Sequence, residues 1–185
     1  MMRFGALEFY PVGEHVDLVA PPVDALLKTV DTTGVEVAAI DAQLSDTTAF
    51  CEEYEIRPET AANCVVLKAK RGDKEWFAAC VILANTRADV NGVARRFLDA
   101  RRVSFAPMEE AVKETGMEYG AITPVGLPAG WPILVDSRVA ASDVVIIGSG
   151  VRGSKLLVPG SFLSTLPNSS VVEELAREVA REAAN

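Results

Sequence analysis

Residues 63–83 read NCVVLKAKRGDKEWFAACVIL and carry the clearest sign of fold class in the chain. Asn63–Lys70 and Glu75–Leu83 are two strand-like runs joined through Arg71-Gly72-Asp73. A short glycine- and aspartate-bearing link between two such runs predicts a β-hairpin. The second run, Trp76-Phe77-Ala78-Ala79-Cys80-Val81-Ile82-Leu83, is apolar at every position. A strand of that kind is covered on both faces. Strand-like and helix-like segments interleave around the hairpin, yet a hairpin has no place in a pure βαβ series. The predicted fold class is therefore α/β, with a mixed, curved or barrel-like β-sheet and helices packed around it.

Upstream, residues 1–21 show no clear period, and Pro11, Pro21 and Pro22 punctuate them. Phe4, Leu7, Phe9 and Tyr10 are apolar enough to pack on the body, so an ordered N-terminal extension is expected. Val23–Thr29 reads as a short helix, Val35–Ile40 as a strand, and Asp46 as the N-cap of a helix to about Tyr54. Downstream, Asp89 caps a predicted helix over about 90–101 whose apolar stripe is Val90, Val93, Ala94, Phe97 and Leu98. Val103–Ala106 is a short strand. Pro107 opens a helix through about Thr115, and Gly116 fits its C′ position. Ile133–Val135, Val144–Ile147 and Lys155–Val158 are strands, and a turn of helix runs from Pro159-Gly160 to about Leu166. Ser170-x-x-Glu173 is a capping-box pattern, which predicts a C-terminal helix over about 171–184. A chain of 185 residues is expected to form a single domain, 1–185.

The composition is that of an ordinary soluble protein, 49% apolar and 24% charged. No apolar run reaches the roughly 20 residues that span a bilayer. The start lacks the pattern of a signal peptide. Cys51, Cys64 and Cys80 form no Cys-x-x-Cys, which suits reduced thiols in a cytoplasm. The net charge of −8 argues against a DNA-binding surface. His15 is the single histidine and sits in an irregular, proline-flanked segment, which argues against a Ser-His-Asp triad and a multi-histidine metal site, and no metal or cofactor is expected.

Tyr119-Gly120-Ala121-Ile122-Thr123-Pro124-Val125-Gly126-Leu127-Pro128 holds two glycines and two prolines in ten residues. Proline fixes φ and restricts its predecessor, while glycine admits dihedrals other residues avoid. A loop so built is either a stiff connector or a fixed array of main-chain N–H groups able to hold a carbonyl oxygen, carboxylate or phosphate.

Gly120-Ala121-Ile122-Thr123-Pro124 resembles the G-x-x-x-P loop of the YbaK/prolyl-tRNA-synthetase-associated family, the trans-editing aminoacyl-tRNA deacylases. Gly116 and Gly126 extend the match. Val144-Val145-Ile146-Ile147-Gly148-Ser149-Gly150-Val151-Arg152-Gly153 looks like that family's strand and G-G-x-R-G turn. Asn63-Cys64-Val65-Val66-Leu67 occupies the place of its K-[TN]-L-hydrophobic strand. The resemblance covers about residues 22–167 and departs at one point: the family's functional lysine aligns with Asn63.

The resemblance implies hydrolysis of the ester between a mischarged amino acid and the 3′ end of a tRNA, in the cytoplasm, with a synthetase as a further partner. Gly120, Ala121, Ile122, Thr123, Pro124 and Asn63 would lie at the reacting ester. Gly126, Asp136, Gly148, Ser149, Gly150, Arg152 and Gly153 would border the substrate. Backbone N–H groups would hold the carbonyl, and a water helped by a ribose hydroxyl would attack, with no metal and no protein nucleophile.

Several of these residues have a plainer reading. Gly148-x-Gly150-x-x-Gly153 matches a dinucleotide fingerprint, but that motif must open a helix. Here Ser154–Val158 reads as a strand and Pro159 follows. A tight turn remains, or the pocket turn of the family. Arg152 either forms a local salt bridge or pairs bidentately with a phosphate. Asp136 ends a strand, where a carboxylate usually caps a turn. Thr123 most often closes a turn, and it has no base to make it a nucleophile. Arg95, Arg96, Arg101 and Arg102 are a solvated face or a tRNA-backbone contact. Strand alternation puts Lys68 and Lys70 on the face opposite Asn63, so the pocket is expected to lack the family's cation. The rival function is a non-catalytic pocket for a small amino-acid-like ligand or a protein partner. A positive rim formed by Arg152 and the 90–101 arginines would favour tRNA, and a negative rim the rival.

Overall fold

The structure is a computed structural model that describes residues 1–179. The N-terminal residues are more than an extension. β1 (Met2–Phe4) and β2 (Leu7–Pro11) form a hairpin whose Leu7 and Phe9 are buried. After α1 (Pro21–Leu27), β2 pairs with β3 (Glu36–Ala39). α2 (Thr47–Glu53) starts at Asp46, whose Oδ1 accepts the N–H groups of Thr48 and Ala49 at 3.0 and 3.4 Å.

The expected hairpin is present as β4 (Ala62–Arg71) and β5 (Lys74–Leu83), with Arg71 facing Lys74. Gly72 takes φ +60° at the first turn position. β6 (Thr86–Ala88) follows, then helical turns. Val90–Ala94 is wound one residue wider than an α-helix, and only Arg95–Phe97, α3, is α-helical. Phe97, expected in the apolar stripe, is exposed. β7 (Arg102–Phe105) and α4 (Met108–Thr115) come next, and Gly116 ends α4 in the left-handed region at φ +65°. Beyond the central loop lie β8 (Ile133–Asp136), α5 (Ser137–Ala140), β9 (Val145–Gly148), β10 (Ser154–Val158) and α6 (Gly160–Ser164). The described chain ends in β11 (Ser169–Val172) and β12 (Ala176–Glu178).

One sheet has the order β1-β2-β3-β10-β9, the other β11-β8-β5-β4-β7, and β12 pairs with β6. A parallel bridge between Ala61 and Ile146 joins the two where they meet. β5–β8 and β8–β11 are parallel and the other pairs antiparallel, so the sheet is mixed, and it curls as a half-barrel, as expected. β5 is covered on both faces. Val81 and Leu83 pack in the core between the sheets with α1 and α6, while Ala78, Cys80 and Ile82 pack under Val90, Ala94 and Leu98. Leu7, Phe9, Phe50, Ile146 and Leu157 form a third core beneath α2. No helix among the described residues is long and apolar enough to cross a membrane.

The C-terminal helix is a correction. Residues 171–178, expected to be helical, lie mostly in β11 and β12; residues 180–184 of that expectation fall outside the described residues. Ser170 pairs with Leu134, and the Glu173 carboxylate accepts from Ser137 Oγ at 2.7 Å instead of closing a capping box. The edge of β8 needed a hydrogen-bonding partner, and that demand outweighs a weak local helical preference.

Candidate active site

A cavity of about 770 Å³ opens between α2, the start of β4, the Phe105–Ala111 segment, the central loop and the ends of β9 and β10. Its wall includes Asn63, Cys64, Val66, Gly120, Ile122, Gly148 and Lys155. Exposed Phe105, Met108 and Tyr119 are among its lining residues and give it an apolar side. Thus Asn63, Gly120, Ile122 and Gly148, taken from three separate sequence blocks, share one cavity.

The central loop is held from several directions. Ala121 N–H donates to Glu118 O at 3.1 Å, and Gly150 N–H donates to Ala121 O at 2.9 Å. Thr123 N–H points at Met117 Sδ, 3.5 Å away. The N–H groups of Gly120 and Ile122 have no acceptor among the described residues. Gly120 sits at φ +79°, where a side chain is strained. Gly148 lets the loop lie directly on β9: a Cβ there would come within 2.5 Å of Ala121 O.

Arg152 works on the same loop. Its Nε and Nη2 donate to Ala42 O at 3.2 and 3.0 Å, and Nη1 donates to Tyr119 O at 3.3 Å. The guanidinium ties the loop to Ala42 through main-chain carbonyls, and the expected local salt bridge is not formed among the described residues. Ala121, Thr123 and Pro124 are buried within the loop. Thr123 Oγ1 closes no turn, and it has no hydrogen-bond partner among the described residues.

Other expected border residues do not reach the cavity. Asp136 is fully buried and caps α5: Oδ1 accepts Arg138 N–H, the Arg138 guanidinium bonds both oxygens, and Oδ2 accepts Ala176 N–H at 3.0 Å. Its carboxylate is spent on holding the chain end, so it is removed from the site. Gly126 faces α1, where a Cβ would meet Pro22 O at 2.3 Å. Ser149 is buried in the turn, bonded to Val151 O, Ser154 O and Ser154 Oγ. Gly150 packs against Ala20, Val23 and Met117, and a Cβ on Gly153 would meet nothing within 4 Å.

Asn63 is tied down, since its Oδ1 accepts from Thr47 Oγ1 at 2.6 Å. Asn63→Ala should lower the unfolding free energy by about 1 kcal/mol, the net worth of one such bond, measured by urea denaturation. Lys68 and Lys70 do not line the cavity, as expected, but the expectation that its charge is missing is corrected. Lys155, absent from the sequence-derived candidates, enters its wall from β10. Strand alternation can show only that Lys155 and Leu157 share a face; that the face lies beneath α2 and beside the loop is a tertiary fact. Arg95, Arg96, Arg101 and Arg102 do not line the cavity. The charged lining is Asp46, Glu52 and Lys155, which is not the positive rim that a tRNA-binding mouth would show.

No group of three or more His, Cys, Asp or Glu able to hold a metal exists among the described residues. The cysteines are inert thiols. Burial pushes Cys80 up to about 12, and burial, then Cys80, raises Cys64 still further from the ordinary range. A thiol whose pKa is raised by folding contributes stability below its unfolded pKa of about 8.5, and that stability is lost as pH rises toward the folded value. The urea midpoint should therefore fall from about pH 9 upward, and Cys80→Ala should flatten that fall.

Comparison with known proteins gives the site a family. The model of the aminoacyl-tRNA editing domain matches residues 41–164, a span that includes the cavity wall from Asp46 to Lys155. No curated protein sequence shows significant similarity. Among solved structures, a protein described as a candidate trans-editing enzyme for prolyl tRNA synthetase superposes with TM-score 0.71 at 18% identity, over 87% of this chain and 99% of that one. A hypothetical protein superposes with TM-score 0.72 at 17% identity, over 84% and 99%. A candidate signal transduction protein from Marinobacter aquaeolei gives 0.54 at 21%, over 87% of this chain and 32% of that chain. At these identities the likeness carries the fold, and the family model carries the membership: this chain belongs to the aminoacyl-tRNA editing domain family.

Proposed function

We propose that this chain is an aminoacyl-tRNA deacylase, hydrolysing the ester of a mischarged tRNA in trans. The observation that carries this reading is the pair of N–H groups at Gly120 and Ile122. Both residues line the cavity, and neither N–H has an acceptor among the described residues. Such a pair suits a carbonyl oxygen that gains charge as a water adds to the carbonyl carbon. The tetrahedral intermediate then expels the ribose oxygen, which takes up the proton that the water gives up, leaving free amino acid and tRNA. A ribose hydroxyl of the substrate relays that proton, so no side-chain base is required. A cavity of about 770 Å³ is within the range that encloses small ligands, here an aminoacyl-adenosine end. Selection would be by size, with one methylene worth only about 1–3 kcal/mol.

One observation favours a second reading. Asp46 and Glu52 give the cavity lining two acidic residues against one lysine, and the arginines of 95–102 lie elsewhere. That charge suits a pocket for a small amino-acid-like ligand without tRNA. A panel of mischarged tRNAs separates the two. Hydrolysis of at least one above the buffer rate supports the deacylase, while binding of a free amino acid with no hydrolysis of any ester supports the rival.

A further inference from the structure

Lys155 is buried, with only 7% of its surface exposed, yet it lines the cavity. Its register partner on β9 is Gly148, so the two share a face of the sheet. Over Gly148 the main chain of Ala121 and Ile122 crosses so closely that a Cβ would meet both carbonyl oxygens. Lys155 is thus the lateral neighbour of the loop that carries the free N–H groups.

Its surroundings leave its charge uncompensated. Nζ donates to Ser45 O at 2.9 Å and lies 5.0 Å from the centre of the Phe50 ring. Among the described residues no carboxylate lies within 4.0 Å of it. Asp46 contributes only at longer range, and its Oδ1 is engaged as the cap of α2. An ammonium has three donors, and one is used. A buried cation without an ion-pair partner is costly, and an apolar side chain would pack this face without that cost. Burial lowers the Lys155 pKa, the charge of Arg152 pushes the same way, and Asp46 acts against that shift.

We propose that Lys155 is the anion-binding residue of this cavity, its Nζ meeting an anionic oxygen of the bound ligand, either phosphate or carboxylate. It does so from β10, where β4 offers only the neutral Asn63. The inference rests on the cavity being the ligand site. It differs from a purely structural role, in which Lys155 only ties β10 to Ser45.

The test uses matched charged and neutral probes on the full chain, by calorimetry. For phosphate, the pair is the dinucleotide CpA and its uncharged methylphosphonate analogue. For carboxylate, it is glutamate α-methyl ester and glutamine α-methyl ester. The wild type should prefer the charged member of one pair by about tenfold, and which pair shows this names the source of the anion. Lys155→Met should lose the preference, and Lys155→Arg should keep part of it. The same charged probe should shift the Lys155 Cε and Nζ resonances of the wild-type protein, a readout that stands even if Lys155→Met does not fold. An equal charge preference in folded Lys155→Met, no preference in the wild type for either pair, or unmoved Lys155 resonances would overturn the inference. Ester hydrolysis measured beside these assays is a separate result: activity without charge preference removes Lys155 and leaves the deacylase standing.

Discussion

Gly120→Val should abolish ester hydrolysis while leaving the protein folded. Gly120 holds φ +79°, a region in which a β-branched residue is an outlier. A Cβ there would stand 3.3 Å from Arg152 Nη1 and 3.7 Å from Ser45 Oγ, and two further methyl groups would extend from it. To relieve that, the peptide must turn, and its N–H turns with it. Removal of one donor of an oxyanion site typically costs about 100- to 1,000-fold in kcat. Gly120 is exposed, so the core should not feel the change. The check is kcat/KM beside a thermal unfolding curve. Full activity in a folded Gly120→Val protein would remove the loop from the mechanism.

Gly148→Ala should do nearly as much from the other side of the loop. The added methyl would come within 2.5 Å of Ala121 O and 3.1 Å of Ile122 O, both main-chain atoms that cannot swing aside as a side chain does. The loop must lift off β9, straining the Gly150 N–H bond to Ala121 O. A displacement near 1 Å can cost roughly 100-fold in rate, and overpacking of this kind costs about 1–3 kcal/mol of stability. The expected result is a fall of about 100-fold in kcat/KM with a modestly lower urea midpoint. Unchanged kinetics would mean that the loop can be moved without consequence to the reaction.

Much of the fold could be read from local pattern, because local pattern decided it. The 63–83 hairpin, the cap at Asp46 and the left-handed end of α4 at Gly116 each depend on neighbours in sequence, and the two-sided cover of β5, though supplied by distant elements, is marked by its unbroken apolar run. The C-terminal segment could not be read that way. Val171, Leu175 and Val179 recur at helical spacing, but Leu175 is buried while Val171 and Val179 are exposed. Pairing with β8 and β6 set their structure.

The site divides similarly. Gly120, Ile122, Gly148 and Asn63 could be picked out because glycine-rich turns and one strand carry a recognisable order. Asp136 was misplaced because its use depends on Arg138 and on Ala176, forty residues along the chain. Lys155 was missed because in sequence it is one polar residue in an apolar strand. Only the packing of α2 and Ser45 turns it inward to the cavity.

In the deacylase reading, free main-chain N–H groups of the central loop hold the substrate carbonyl. The most direct measurement is a ¹⁵N–¹H titration of the wild-type protein with 3′-(alanylamino)-3′-deoxyadenosine, a non-hydrolysable amide in place of the ester. The Gly120 and Ile122 amide protons should move downfield and saturate together, while Ala121 and Thr123, whose N–H groups already have partners, move less. Saturable shifts confined to α2 and Lys155, with Gly120 and Ile122 unmoved, would mean that the loop does not hold the carbonyl.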